Sequence, residues 1–98
     1  MPAITIRKST RKHKKYEADV DGRKIHFGDD RYEDYTRHRD KERRRLYRSR
    51  HKYGEDDLEP ITAKTFSNYL LWGDSTSIKK NMAHLSTLIN RDIRMVDK

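Results

Sequence analysis

The sequence predicts a small single α+β domain in which an N-terminal basic arm leads into a β-hairpin followed by three helices. Three observations carry that reading. Asp21-Gly22 stands between two stretches that alternate apolar and polar residues, an arginine-rich run from Arg37 to Tyr53 has capping residues at both ends, and apolar residues recur at helical spacing from Ile78 to Ile89. With 98 residues, 32% of them hydrophobic against 41% charged, the chain can bury only a modest core. A charge density this high favours a domain that gains stability inside an assembly.

Residues 1–14 show no apolar pattern beyond Ile4 and Ile6. The run Arg7-Lys8-Ser9-Thr10-Arg11-Lys12-His13-Lys14-Lys15 reads as an extended arm that orders on contact with an anionic surface. The hairpin spans 15–28. A type I′ turn needs positive φ at both central residues, which Asp-Gly supplies, and it pairs Val20 with Arg23, Ala18 with Ile25 and Tyr16 with Phe27 on a dry face. Asp19 then meets Lys24 and Glu17 meets His26 on a wet face, so opposite charges face each other. Gly28 ends the second strand.

A basic helix follows over about 37–53, capped by Thr36 or Asp40 and closed by Gly54. Arg37, Lys41, Arg44, Arg48 and Lys52 recur at i, i+4, i+7, i+11 and i+15, which makes a cationic stripe about 22 Å long at ~1.5 Å per residue. Leu46, Tyr47 and Tyr53 give this helix only a thin dry face. Glu55-Asp56-Asp57-Leu58-Glu59-Pro60 is an acidic linker able to fold back on it. Thr62 or Thr65 caps a helix over about 62–72, which Gly73 closes. Asp74, Ser75 or Thr76 caps the last helix, about 76–91, whose stripe Ile78, Met82, Leu85 and Ile89 reads first as core and, in a sharper reading, as a groove for a partner helix that a host-interaction module would expose. Residues 93–98 form a frayed tail.

No catalytic constellation is present. His13, His26, His38, His51 and His84 lack metal-ligand spacing, and the pairs Asp29-Asp30 and Glu33-Asp34 have no second motif to complete a metal site. There is no phosphate-cradling glycine loop and no nucleophile elbow. The chain therefore reads as a binder, not an enzyme, with neither cofactor nor metal. Without cysteine it forms no disulfide, and no stretch approaches the ~20 apolar residues that span a bilayer. The N-terminus lacks the apolar core of a signal peptide, so synthesis in the cytosol is expected.

The net charge of +8 calls for an anionic partner. Six of the 24 basic residues lie in the arm region, Arg7, Lys8, Arg11, Lys12, Lys14 and Lys15, and nine lie between Arg37 and Lys52. Together with the stripe Arg37, Lys41, Arg44, Arg48 and Lys52, and with Tyr35 and Tyr47 beside it, these arm cations are the expected partner-binding residues. Guanidinium forks take carboxylates as readily as phosphates, so acidic protein and nucleic acid both satisfy them. Helix-turn-helix, RNP and zinc-finger signatures are absent.

Lys24-Ile25-His26-Phe27-Gly28, then Tyr32-Glu33-Asp34-Tyr35-Thr36-Arg37-His38-Arg39-Asp40, then Glu42-Arg43-Arg44-Arg45-Leu46-Tyr47-Arg48-Ser49-Arg50-His51 form a pattern of rare residues at fixed spacing. In this the chain resembles a family of short basic proteins, of no assigned function, from nucleocytoplasmic large DNA viruses such as phycodnaviruses, iridoviruses and marseilleviruses. Thr62-Ala63, Leu70-Leu71-Trp72 and Ser77-Ile78 extend the likeness over about 15–80, while Asp29-Asp30-Arg31 and Asn68-Tyr69 depart from it. The resemblance implies a virion component, assembled in the host cytoplasm and present in many symmetric copies. Its leading form is a minor capsid protein that cements major capsid protein capsomers, with other minor capsid proteins as further partners. The alternative is a DNA-associated virion protein that binds phosphates through the arm and the basic helix.

Overall fold

Ile4 and Ile6 alternate with Thr5 and Arg7, a period-2 pattern sufficient to seed a strand once a neighbour covers its apolar side. The structure, a computed structural model describing residues 2–54, 58 and 60–96, makes it one. Ile4–Lys8 is strand β1, with both isoleucines fully buried, so within the basic arm expected over 1–14 these residues belong to the sheet and 9–13 form a turn leading on from it. Burying an isoleucine is worth about 1.5–3 kcal/mol, and the cations around it point away from the core at little cost.

Strands β2 (Lys14–Val20) and β3 (Arg23–Asp29) form the hairpin with the register that alternation predicts, Tyr16 opposite Phe27, Ala18 opposite Ile25, and Glu17 opposite His26. Asp21 and Gly22 both take positive φ, 56° and 87°. Strand β2 also pairs antiparallel with β1, giving the order β3-β2-β1-β4, in which β4 (Ile93–Met95) runs parallel to β1. The segment expected to fray thus closes the sheet. Its backbone is tied at both ends, Ile4 N donating to Asp92 O and Val96 N to Ile6 O. Arg91, buried just ahead of it, reaches Asp21 with both terminal nitrogens (3.0 and 3.2 Å) and Pro2 O at 2.8 Å.

One face of the sheet is covered by helices. Thr62 and Thr65 form a reciprocal capping box that opens α3 (Ala63–Phe66). The chain then widens into a π-helical turn over Ser67–Leu71, where Trp72 N donates to Ser67 O, in place of a regular helix to residue 72. Helix α4 (Ile78–Ile89) starts at Ser77 and ends at Asn90 in the left-handed conformation. Ile4, Ile6, Ala18, Val20 and Phe27 pack against Ile61, Phe66, Leu70, Leu71, Met82 and Leu85, with Phe27 stacked on Phe66 at 5.1 Å.

The basic segment differs from the single helix expected over 37–53. Asp34 caps a short helix α1 (Tyr35–His38). Arg39 takes φ 59°, and Asp40 accepts from Glu42 N and Arg43 N to start α2 (Lys41–Arg50). Two aspartates six residues apart each nucleate a helix, and a left-handed residue between them breaks the continuity. The acids of the linker, Glu55, Asp56, Asp57 and Glu59, lie outside the described residues.

Candidate partner-binding surface

The break at Arg39 removes Arg37 from the expected stripe, and packing removes two more of its members. Arg44 lies 4.4 Å over the ring of buried Tyr35 and donates to the carbonyls of Gly73 and Asp74, both at 3.2 Å. Arg48 lies 4.0 Å over Tyr53 and donates to Trp72 O at 3.0 Å and to Asp74 Oδ1 at 2.9 Å. The hydrogen bond from Arg48 holds the Asp74 carboxyl below its usual range. These two guanidinium groups clamp α2 onto the carbonyl-rich segment after the π turn, where orphan acceptors and the negative helix end favour cations. They are structural cations.

The expected tyrosines are committed as well. Tyr47 is sandwiched between Trp72 (4.2 Å, planes 6° apart) and His51 (4.1 Å, 30°), and burial pushes its phenol up to about 12. Tyr53 packs against Tyr69, ring centroids 4.7 Å apart and planes tilted by 35°. His38 sits between Tyr35 and Trp72, and its Nδ1 accepts from Asp40 N at 2.9 Å. Burial, and then the nearby charge of Arg43, hold its pKa below the ordinary 6.5. Lys15 is drawn inward to Asp34, whose other oxygen accepts from Thr36.

The loop that joins β1 to β2 carries its cations on a built turn. Glu17, expected on the wet face, is buried beneath this loop and accepts from Thr10 N at 3.0 Å and Thr10 Oγ1 at 3.2 Å. Those bonds, the backbone one foremost, hold its carboxyl below the ordinary range, with Lys24 (3.8 Å) and His26 (3.9 Å) adding to the effect. Ser9 Oγ bridges His26 Nδ1 and Arg11 N. Lys8, Arg11, Lys12 and Lys14 are left exposed on this frame, and Arg7 is half-buried in β1. Of the stripe, Arg37, Lys41 and Lys52 are also exposed.

A face of α2 that the sequence reading passed over now stands out. Arg43, Leu46, Tyr47 and Arg50 fall at i, i+3, i+4 and i+7, and all four line a cleft of about 610 Å³ between α2 and the loop after β3. Across it stand Lys14, Tyr32 and Glu33, and Leu71 and Trp72 lie at its floor with Gly28. Gly28 has φ +80°, and a Cβ there would meet Leu71 Cδ1 at 2.9 Å. The heptad spacing was visible in the sequence, but the denser row of cations on the neighbouring face masked it. Among the described residues no group of three or more His, Asp or Glu is placed to hold a metal ion, and no helix is long and apolar enough to cross a membrane.

Residues 4–51 match a family of unknown function, DUF5754. The match runs from the first residue of β1 to the residue that caps α2. No curated protein and no solved structure matches the chain.

Proposed function

We propose that the chain is a non-enzymatic minor capsid protein of a large icosahedral DNA virus, which bridges capsomers by meeting acidic surface of the major capsid protein. The observation that supports this reading is the division of labour among its basic and aromatic residues. Tyr35, Tyr47 and Tyr53 are used inside the molecule, whereas Lys8, Arg11, Lys12, Lys14, Lys41 and Lys52 are exposed on strand ends, on helix α2 and on the turns beside them. Recognition is then by charge and shape on a rigid piece. An exposed ion pair is worth only ~0.2–1 kcal/mol, so many must act together, as they do when one geometry repeats over a symmetric shell.

Size is compatible with bridging. A standard interface takes about 800 Å² from each partner. The chain exposes 6426 Å² over extents of 36 × 28 × 20 Å, room for two such contacts on different sides. The competing reading places the same cations on DNA phosphates. It requires affinity that falls with salt at a log–log slope of about −0.9 per neutralised phosphate.

Sedimentation of the purified protein with DNA-free shells, and separately with duplex DNA, over a range of salt separates the two. Saturation on shells at a fixed ratio to the major capsid protein is expected. Tight, steeply salt-dependent DNA binding with no sedimentation on shells would refute the capsid assignment.

A further inference from the structure

The cleft beside α2 joins exposed apolar side chains, which are few among the described residues, to cations. Tyr32 and Leu46, 69% and 45% exposed, are two of the three large apolar side chains left exposed among the described residues, and both line it. Lys14, Arg43 and Arg50 line it too, and none of them makes an ion pair with a described residue. Its acids are largely spent: Asp29 is gripped by Arg31 through Nε (3.0 Å) and Nη2 (2.8 Å), and Asp34 is held by Lys15, which leaves Glu33 against three cations. A volume of about 610 Å³ lies within the ~300–1,000 Å³ range of ligand-binding clefts.

We infer that this cleft binds an extended acidic peptide segment of a partner protein, with one aliphatic side chain of the segment seated between Tyr32 and Leu46 and its flanking carboxylates on Lys14, Arg43 and Arg50. The charge chooses the acidic class and the exposed apolar pair demands an apolar anchor. Single-stranded nucleic acid fits less well, because Tyr47 has both ring faces covered, by His51 and Trp72, which leaves Tyr32 as the one exposed ring of the cleft where stacking runs over successive bases. The inference rests on the capsid reading only for where such a segment comes from, an exposed tail or loop of a shell protein.

Trp72, the chain's one tryptophan, lines the cleft and serves as the reporter. The probes are a short blocked peptide of aspartate and glutamate with one central leucine, the same peptide with serine in place of leucine, and an oligothymidylate. We expect the leucine peptide to change Trp72 fluorescence and to bind more tightly than the serine peptide. The pair Arg43→Glu and Arg50→Glu should weaken it about tenfold. Lys79→Glu with Lys80→Glu, the same change in net charge on exposed positions of α4, should leave it unaffected. Leu46→Ser should abolish the preference for leucine. Equal weakening by both charge-reversed pairs, no preference for leucine, or tighter binding of oligothymidylate would overturn the inference. Failure here leaves sedimentation on shells unaffected, and failure on shells leaves peptide binding intact, so the two proposals fall separately.

Discussion

Of the four glycines, Gly73 has the closest surroundings. A Cβ there would lie 2.4 Å from Tyr69 O and 2.8 Å from the Asn81 amide, which itself donates to Leu70 O and Ser75 O and accepts from Ser75 N. Gly73→Ala should therefore cost about 2–4 kcal/mol, as overpacking against backbone and a buried polar group, read as a lowered denaturant midpoint at unchanged slope. Gly73 was legible in the sequence as a helix stop, but the close approach it permits depends on Asn81, eight residues on, and no local pattern encodes that. Glu17 is a parallel case. Its pairing with His26 followed from strand register, whereas its burial needed β1 and the Thr10 turn, which the density of lysine and arginine hid. At His38, Asp40 N donates to Nδ1, so a proton on that nitrogen would displace the bond. Burial lowers the pKa of both His38 and His51, with the charges of Arg43 and Arg50 adding to the effect respectively. The unfolded chain then binds more protons below the ordinary 6.5, so stability is full above that pH and declines as pH falls from it towards the folded values. Thermal unfolding across mildly acidic pH should show this decline, and His38→Asn, which can keep an acceptor for Asp40 N, should make it shallower.

Helix α2 has no buried residue and depends on its clamp. Arg48 meets Trp72 O, Asp74 Oδ1 and the Tyr53 ring at once, a geometry that a guanidinium satisfies and an ammonium does not. Arg48→Lys should cost about 1–2 kcal/mol, nearly as much as Arg48→Ala. In a double-mutant cycle with Asp74→Ala, the coupling should be only a few tenths of a kcal/mol, since Asp74 is mostly exposed and the carbonyl and ring contacts survive its loss. A coupling as large as the whole loss would place the clamp in the ion pair instead. Helical periodicity found the arginines of this segment but not that two of the stripe, Arg44 and Arg48, are engaged within the molecule. The row with most charge was the one that the Trp72–Asp74 carbonyls draw inward, and that choice is made by a segment more than twenty residues away. The break between α1 and α2 was nearer to hand, because Asp34 and Asp40 are both good caps. Only the left-handed Arg39 decides that both are used.

At the scale of the whole molecule, the two ends of the chain close the sheet together. Strand β1 runs between β2 and β4, and Arg91 ties Asp21 of the hairpin turn to Pro2 beside the first strand. Deleting residues 91–98 removes β4, the buried Arg91 and the half-buried Ile93 and Met95. It should cost about 3 kcal/mol or more and abolish a single cooperative transition in a domain this small. The α+β class, the hairpin register and the core stripe of α4 were legible because turn chemistry and local periodicity specify them. The fourth strand was not, since Ile93 and Met95 alternate with Asp92 and Arg94 over too few residues to mark a strand, and they become one only when β1 is already in place. Among the described residues the surface presents a set of exposed cations and a basic cleft with an apolar rim, which are proposed to meet a capsid shell. The most direct measurement is the amount of this protein in the empty-shell and genome-core fractions of gently dissociated, purified particles, at low and high salt. Retention in DNA-free shells at a fixed ratio to the major capsid protein is expected. Recovery with the core, released by nuclease or salt, or absence from the particle, would contradict it.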